Sequence, residues 1–177
     1  MRVNMKKEVL KIKTRSGIYY GEPYKLDEFD KKILIELQEN SRQTLADLSK
    51  KIHLSRDAIR HRIDKMIKAE VILGFNFTLN PPKVGFPLIS YVLLGLQNAK
   101  PGVEEEFIRF VKNNPLIIYV ASLIGKWDYV LYLVSRNPGE LSSILKELRT
   151  KFPELIKDYE TFTVLEELKY EEAVRAL

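Results

Sequence analysis

Residues 54–70, LSRDAIRHRIDKMIKAE, combine five arginine and lysine side chains with a regularly spaced apolar row. Both cations attract phosphate, and arginine can also bind the O6 and N7 atoms of guanine with two parallel hydrogen bonds. The wider segment 42–68 carries eight basic and three acidic side chains, a net charge of +5. It is therefore a candidate for binding a polyanion such as nucleic acid, although a solvated helix face is an alternative interpretation.

Few other residues have the types and spacing that enzyme chemistry requires. Cysteine is absent, which excludes disulfides, zinc ribbons, iron-sulfur clusters and thiol catalysis, and two histidines are too few for a histidine-rich metal site. The sequence has no Gly-rich phosphate loop and no nucleophile with a suitably spaced base. The acidic run 104–106 stands at a predicted helix start, where the helix dipole accounts for it. We therefore expect no catalytic residues, no cofactor and no metal.

Three predicted helices position the basic segment. Residues 27–39, DEFDKKILIELQE, begin with acids and place apolar residues four apart, as an amphipathic helix does. Thr44, with Asp47 three residues later, is a predicted N-cap for a second, shorter helix. Ser55 is the predicted N-cap of a third helix that extends to about residue 69.

The third helix is predicted to have an apolar side and a cationic side. Its apolar side consists of Ile59, Ile63, Met66 and Ile67. Counted at 100° per residue, the opposite side carries Asp57, His61, Asp64 and Lys68, flanked by Arg60 and Lys65. The apolar side should pack on the first two helices, so that the cations project outward. Arg62 borders the apolar side, and we expect it to have a structural role, pairing with an acid of the first helix.

A strand is predicted to follow the third helix. Phe75, Phe77 and Leu79 alternate with polar residues, as in a half-buried strand, and the prolines at 81 and 82 would end it. Three helices and a following strand, with a short turn between the second and third helices, indicate a winged helix-turn-helix over residues 26–80. Residues 1–25 contain two strand-like runs around the Ser-Gly pair at 16–17 and are predicted to form a β-hairpin extension.

Residues 81–177 follow a β-α-β-β-α-β order, which predicts a ferredoxin-like domain and makes the whole chain α+β. The runs 84–97, 116–125, 129–135 and 157–168 are typical of strands, whereas 101–114 and 138–152 have helical spacing. Two helices cover one sheet face, so the apolar strands need a partner on the other, which predicts self-association. Trp127, Tyr129 and Leu131 alternate onto one face, which we expect to be buried in a dimer.

No apolar run approaches the roughly 20 residues of a membrane helix, and the N-terminal residues lack the apolar run of a signal peptide. We therefore expect no membrane partner and a cytoplasmic location.

The order of these features resembles the leucine-responsive regulatory protein (Lrp/AsnC) family of transcription regulators. The resemblance spans about residues 26–170 and is carried, in order, by LDEFDKKILIELQENSR, LADLSKKIHLS, RIDKM, VILGF, LNPPKVG, GKWD and VLEELK. It implies a DNA-binding head on a ferredoxin-like domain that forms a homodimer and assembles into octamers or other higher oligomers. Members often bind an amino acid near a glycine-x-x-aspartate turn, which Gly125 and Asp128 occupy in this sequence.

A helix-turn-helix places its second helix in the major groove of double-stranded DNA, and here that is the third helix of the chain. The side chains expected to face base edges are Arg56, Asp57, Arg60 and His61, with Arg60 the best candidate for reading guanine. The side chains expected to hold phosphates are Arg42, Thr44, Lys65 and Lys68. Ser55, at the start of the helix, is also included among the DNA-binding residues.

The candidate effector residues are Ser122, Gly125, Asp128 and Thr161. Leu123 and Ile124 lead into the turn and cannot form side-chain hydrogen bonds, so we expect weak or no response to common amino acids. An RNA-binding module is an alternative function. Residues 125–132, GKWDYVLY, match the aromatic and valine positions of the RNA-recognition motif. They lack the basic residue and both glycines at the positions where the motif has them, and Asp128 occupies one of the glycine positions.

Overall fold

The computed structural model describes residues 22–98, 100–169 and 173–177. The predicted hairpin falls on residues 1–25, so it lies almost wholly outside the described residues. The described chain divides into two compact units. One ends at Phe77 and includes the C-terminal residues from Lys169, and the other is Thr78–Leu168. None of the described helices is long and apolar enough to cross a membrane.

The first unit contains three helices, α1 (Glu28–Glu39), α2 (Leu45–Ile52) and α3 (Arg56–Lys68). Each begins after a residue whose side-chain oxygen accepts backbone N–H groups of the first turn: Asp27, Thr44 and Ser55. Asp27 and Thr44 each form a capping box with the aspartate three residues later. The three helices and the caps at Thr44 and Ser55 are confirmed.

The core of the first unit lies where the three helices meet. It is formed by Ile33, Leu34, Leu48, Ile52, Ile59 and Met66, all buried. A short 3-10 helix at the C-terminus, Ala173–Ala176, adds Val174 to this core. The sequence contained no signal for that contact, because a four-residue helix has no periodicity from which its partner could be read.

The prediction of a strand over residues 75–79 is wrong for the described chain. Residues 72–80 have no regular secondary structure, and no described residue forms a ladder pair with them. Phe75, Phe77 and Leu79 are 50%, 83% and 53% exposed. Alternation alone does not make a strand, because the N–H and C=O groups need a neighbouring strand as partner. The described part of the helix-turn-helix unit therefore has no wing strand.

The second unit has the predicted β-α-β-β-α-β order. Its elements are β1 (Leu88–Leu96), α4 (Val103–Asn113), β2 (Ile117–Ser122), β3 (Tyr129–Ser135), α5 (Pro138–Lys151) and β4 (Ile156–Thr163), preceded by a short 3-10 helix, Pro81–Val84. The strands pair antiparallel in the order β2-β3-β1-β4. A helix-turn-helix followed by this ferredoxin-like sheet confirms the predicted fold class.

Helices α4 and α5 cover one face of the sheet. Phe107 and Val111 of α4 and Leu148 of α5 are buried against β1 and β3, and the ring of Phe107 contacts that of Phe152 edge-on at 5.5 Å. Tyr129 and Leu131 also belong to this covered face, where Tyr129 packs on Phe107 with 5.4 Å between ring centroids. The prediction that Tyr129 and Leu131 lie on a face buried in a dimer is therefore wrong. Tyr129, the first residue of β3, faces the helices, and because side chains alternate along a strand, Leu131 faces them too.

The opposite sheet face carries a row of aromatic side chains, here called the aromatic row. The strand register aligns Tyr119, Tyr132, Tyr91 and Phe162 across all four strands. The rings of Tyr91 and Tyr132 are 4.6 Å apart, and Tyr132 also hydrogen-bonds to Glu167. Tyr119, Tyr91 and Phe162 remain 49%, 40% and 47% exposed. This face has the apolar character that a protein partner would bury.

Candidate nucleic-acid interface and ligand cleft

Helix α3 is fixed to the first unit through its apolar side. Ile59 and Met66 have no exposed surface, and Ile63 packs beside them. At its C-terminal end Glu70 adopts φ = 58°, and the N–H of Val71 donates to the carbonyl of Met66 at 2.9 Å, which ends the helix. These contacts set which side of α3 faces outward.

Arg62 ties α3 to the start of α1, as expected from its position beside the apolar side. Its guanidinium lies 2.6 Å from the Asp27 carboxylate and 2.7 Å from that of Asp30, and it stacks over the Phe29 ring at 5.4 Å. Asp30 is buried, with 8% of its side chain exposed. Hydrogen bonds to the two carboxylates raise the pKa of Arg62 above its ordinary value. The predicted structural role of Arg62 is confirmed.

The turn between α2 and α3 has a defined geometry. His53 caps α2 in the left-handed conformation, with φ = 60° and ψ = 40°, and the Ser49 hydroxyl donates to the carbonyl of Leu54 at 2.6 Å. The Gln43 side chain donates to the carbonyl of Glu36 at 2.6 Å and closes the connection between α1 and α2. Lys51 also pairs with Glu36. The angle between α2 and α3 is thus held by local hydrogen bonds as well as by the core.

All the residues predicted to bind DNA are exposed in the structure. They are Arg42, Thr44, Ser55, Arg56, Asp57, Arg60, His61, Lys65 and Lys68. Those on α3 lie on the side opposite the buried Ile59 and Met66, or flank it. Arg42 and Thr44 lie at the start of α2. The structure therefore brings these nine residues onto the outside of a single unit.

The side chains of three of these residues are already engaged within the described chain, and one of them is Ser55, whose oxygen accepts the Ala58 N–H. The Thr44 hydroxyl donates to the Asp47 carboxylate at 2.6 Å while accepting the Asp47 N–H, so a phosphate contact would compete with the capping box. Hydrogen bonds from the Thr44 hydroxyl and from the Thr44 backbone N–H to the carboxylate lower the pKa of Asp47. The Lys65 ammonium lies 5.6 Å from the centre of the Tyr24 ring. Sequence reasoning missed Tyr24, whose only signal was an aromatic residue shortly before α1.

A cleft of about 550 Å³ opens beside the turn between β2 and β3. Ser122 and Asp128 line it together with Leu123, Tyr129 and Glu104. The Asp128 carboxylate accepts the N–H of Leu96 at 2.7 Å, and its own N–H donates to the carbonyl of Leu94 at 2.8 Å, so Asp128 joins the turn to β1. Two of the four candidate effector residues therefore share this cleft.

The other two candidates do not line the cleft. Gly125 lies in the turn with φ = 153°, a conformation that residues with a side chain rarely adopt. Thr161 lies on β4, where it pairs with Val92 of β1, whereas Ser122 lies on β2 at the opposite edge of the sheet, about 14 Å away at the usual strand spacing. The Thr161 hydroxyl is buried without a hydrogen-bond partner in the described chain. The order of the strands along the chain could be predicted from the sequence, but the distance between these two residues could not.

Tyr129 forms one wall of the cleft. Its hydroxyl donates to the Glu104 carboxylate at 2.8 Å. Burial, and then this hydrogen bond to an acid, raise the pKa of Tyr129 to about 12. The phenol therefore stays neutral near pH 7. No group of three histidine or acidic side chains suited to a metal ion occurs in the part of the chain that the structure describes.

Both halves of the chain match known protein domains. Residues 26–67 match the AsnC-type helix-turn-helix domain, and residues 90–174 match the Lrp/AsnC ligand binding domain. The first match covers the three helices with the exposed cations, and the second covers the sheet and the cleft. The RNA-binding alternative gains no support from these matches.

Individual proteins similar to this chain are also transcription regulators. The leucine-responsive regulatory protein of Haemophilus influenzae is 34% identical over 144 residues, which cover 81% of this chain and 86% of that protein. The glutamate uptake regulatory protein of Zymomonas mobilis is 31% identical over 147 residues, covering 82% and 88%. A Neisseria meningitidis transcriptional regulator solved as an L-Met complex superposes with a TM-score of 0.75 at 27% identity, covering 82% and 94%. The chain therefore belongs to the Lrp/AsnC family of transcription regulators.

Proposed function

We propose that this protein regulates transcription by binding duplex DNA sequence-specifically as a dimer or an assembly of dimers, and that a small molecule modulates its binding. The observation that carries the proposal is the two-sided α3. Its apolar residues Ile59 and Met66 are fully buried, while Arg56, Arg60 and His61 are exposed. A helix held in this way can enter the major groove without losing its own packing.

Arg60 is the proposed base reader. It is exposed at the middle of α3 and can bind guanine through two hydrogen bonds. Arg56, Asp57 and His61 would contact neighbouring base edges. The proposed phosphate contacts are Arg42, Ser55, Lys65 and Lys68, which would fix the position of α3 on the duplex without reading sequence. Ser55 suits this role, because its oxygen accepts the Ala58 N–H while its hydroxyl proton remains able to donate.

The aromatic row is the proposed dimer interface. It is apolar, and the backbone pairing of the strands aligns its residues across all four of them. A symmetric dimer would present two copies of α3 to half-sites about 34–36 Å apart, so the operator should be roughly palindromic. Replacing Tyr91 with aspartate should give monomers with reduced affinity for the palindrome, whereas phenylalanine at this position should retain the dimer.

The cleft beside Asp128 is the proposed effector site. The L-Met complex of the Neisseria relative supports a small ligand, and the match of residues 90–174 to a ligand binding domain supports its place in the second unit. Leu123 lines the cleft and offers no side-chain hydrogen bond, so a polar amino acid would have to rely on Ser122, Asp128 and backbone groups. We propose a regulator rather than an enzyme, and a cytoplasmic location fits a protein that must reach DNA.

Selection of bound fragments from random genomic DNA, repeated with RNA as competitor, tests this function. We expect the selected fragments to share a pseudo-palindromic sequence, and excess RNA to leave their binding unchanged. A set of fragments without a common sequence would contradict sequence-specific recognition. Displacement of the DNA by RNA would contradict the duplex as the partner.

A further inference from the structure

A groove of about 920 Å³ lies between helix α5 and strand β4 of the second unit. β4 is an edge strand, so no further strand of the described chain closes the groove from that side. The groove is larger than the cleft beside Asp128 and shares none of its lining residues. Small-molecule sites usually have volumes of about 300–1,000 Å³, so the groove has room for a ligand considerably larger than a single amino acid.

The floor of the groove is apolar. It is formed by half-buried side chains that pack on the core of the second unit: Leu141 and Leu145 from α5, and Ile156 and Tyr159 from β4. The Arg149 guanidinium lies over the Tyr159 ring, 5.6 Å from its centre. Two flat groups therefore meet at the groove, and aromatic rings and nucleic-acid bases stack on both kinds of group.

The rim of the groove is rich in hydrogen-bond donors. It carries three exposed cations, Lys146 and Arg149 on α5 and Lys157 on β4. Ser142 and Thr150 lie four residues before and after Lys146, so their hydroxyl groups stand on the same side of the helix. Ammonium and guanidinium groups only donate hydrogen bonds, which makes this rim suited to a ligand rich in acceptors.

The cations of the rim are not neutralised by acids of the described chain. None of the three forms an ion pair with a described residue. Asp158 is the one acid of the lining, which leaves a net charge of +2, and one of its oxygens accepts the Tyr159 N–H at 2.8 Å. An anion could therefore bind without breaking an existing ion pair. An amino acid fits less well, because its ammonium group would find a single carboxylate.

From the volume, the apolar floor and the unpaired cations, we propose that this groove binds a nucleoside phosphate. The phosphate groups contact Lys146, Arg149 and Lys157, and the base packs on the Tyr159 ring. A molecule with several negative charges and one flat ring matches both parts of the lining. The inference goes beyond the proposed function, because the groove consists of residues other than those of α3 and of the cleft, and it needs neither of them to be occupied.

The test is calorimetric titration of the full chain, without DNA or divalent cations, using three probes. The probes are ATP, adenosine, which lacks the phosphates, and inorganic triphosphate, which lacks the base. We expect ATP to bind at least about tenfold more tightly than either of the other two, because once one part is bound the second contact becomes intramolecular.

The double variant Lys146→Gln, Arg149→Gln locates the binding site. Both side chains are exposed, so the free energy of unfolding in urea should stay close to the wild-type value. Two cation–phosphate contacts are lost, and because exposed ion pairs are individually weak, we expect ATP to bind about tenfold more weakly. Binding of the selected DNA duplex should be unchanged.

Two control variants remove the same charge elsewhere. Arg109→Gln with Lys112→Gln changes exposed positions of α4 in the same unit, and Arg56→Gln with Arg60→Gln changes the DNA-facing side of α3. Both control variants should bind ATP with the wild-type affinity.

Four results would overturn the inference. They are the absence of ATP binding to the wild-type protein, equal affinities for ATP and inorganic triphosphate, an equal loss of ATP affinity in either control variant, and a loss of duplex binding in the groove variant as large as its loss of ATP binding. The last result would make the groove part of the DNA-binding surface. Failure of the wild-type protein to bind any duplex would instead refute the proposed function and leave this inference standing, because the titrations contain no DNA.

Discussion

Replacing Arg62 with alanine should destabilise the first unit, whereas the same change at Arg60 should weaken DNA binding. Arg62 bridges Asp27 and Asp30, and the Asp30 side chain is only 8% exposed. A hydrogen bond to a charged group is worth about 1.5–3 kcal/mol, and stacking over the Phe29 ring adds about 0.5–1 kcal/mol. Because 27% of the Arg62 side chain is exposed, water can replace part of its hydrogen bonding to the two carboxylates in the variant. We therefore expect the free energy of unfolding to fall by about 2–3 kcal/mol in total.

Arg60 is the matched control, two residues away on the same helix. It is exposed, so truncation should change the free energy of unfolding by less than about 0.5 kcal/mol. On the selected duplex it should cost about 1–3 kcal/mol of binding free energy and relax the preference at one base pair. On random duplexes the loss of binding free energy should be much smaller, because a base contact forms only on the selected sequence. If Arg60 instead contacted a phosphate, both duplexes would bind more weakly by the same amount.

Urea unfolding followed by two signals separates the units. The single tryptophan, Trp127, lies in the second unit, so its fluorescence reports that unit, whereas helical circular dichroism includes the first. Arg62→Ala should shift the circular dichroism transition and leave the tryptophan transition in place. A double-mutant cycle with Asp30→Ala should give a coupling of about 0.5–3 kcal/mol. An unchanged stability in Arg62→Ala, or equal losses of Arg60→Ala on selected and random duplexes, would refute this division of roles.

Three further outcomes are expected. Val174→Asp should destabilise the first unit by about 1–2 kcal/mol in urea unfolding, because a carboxylate would enter the core on which Val174 packs. The exposed control Ala176→Asp should not, and equal effects of the two changes would contradict the packing of Val174 on this core. Burial and the hydrogen bond to Glu104 raise the pKa of Tyr129 to about 12, above its ordinary value of 10.0, so its contribution to stability is complete below pH 10 and is lost as the pH rises through 12. Tyr129→Phe should remove this dependence, and an unchanged alkaline profile would count against it. Calorimetric titration should detect weak or no binding of common amino acids, since Leu123 lines the cleft; micromolar binding of a polar one would show this expectation to be wrong.

The local features of the first unit could be read from the sequence because their causes are local. Thr44 and Ser55 stand immediately before helical spacing, and their caps form within the next three residues. The apolar spacing in α3 placed Ile59 and Met66 on one side, and the unbroken helix left Arg60 on the other. The pairing of Arg62 with the start of α1 followed from its position at the border of these two sides.

Other features depended on contacts between residues far apart in the chain. Phe75 and Phe77 alternate like a strand, but a strand exists only with a partner, and the described chain supplies none. Tyr129 was placed on the wrong face, because alternation groups residues without saying which group meets the helices.

The sequence by itself determined the order of the elements, their caps, and the segregation of cations from apolar residues along α3. These depend on backbone geometry and on neighbours within one or two helical turns. Only the tertiary structure decided that Tyr119, Tyr132, Tyr91 and Phe162 form one row and that Thr161 lies away from the cleft. Strand register joins residues that are tens of positions apart, and the packing that selects it has no counterpart in local spacing.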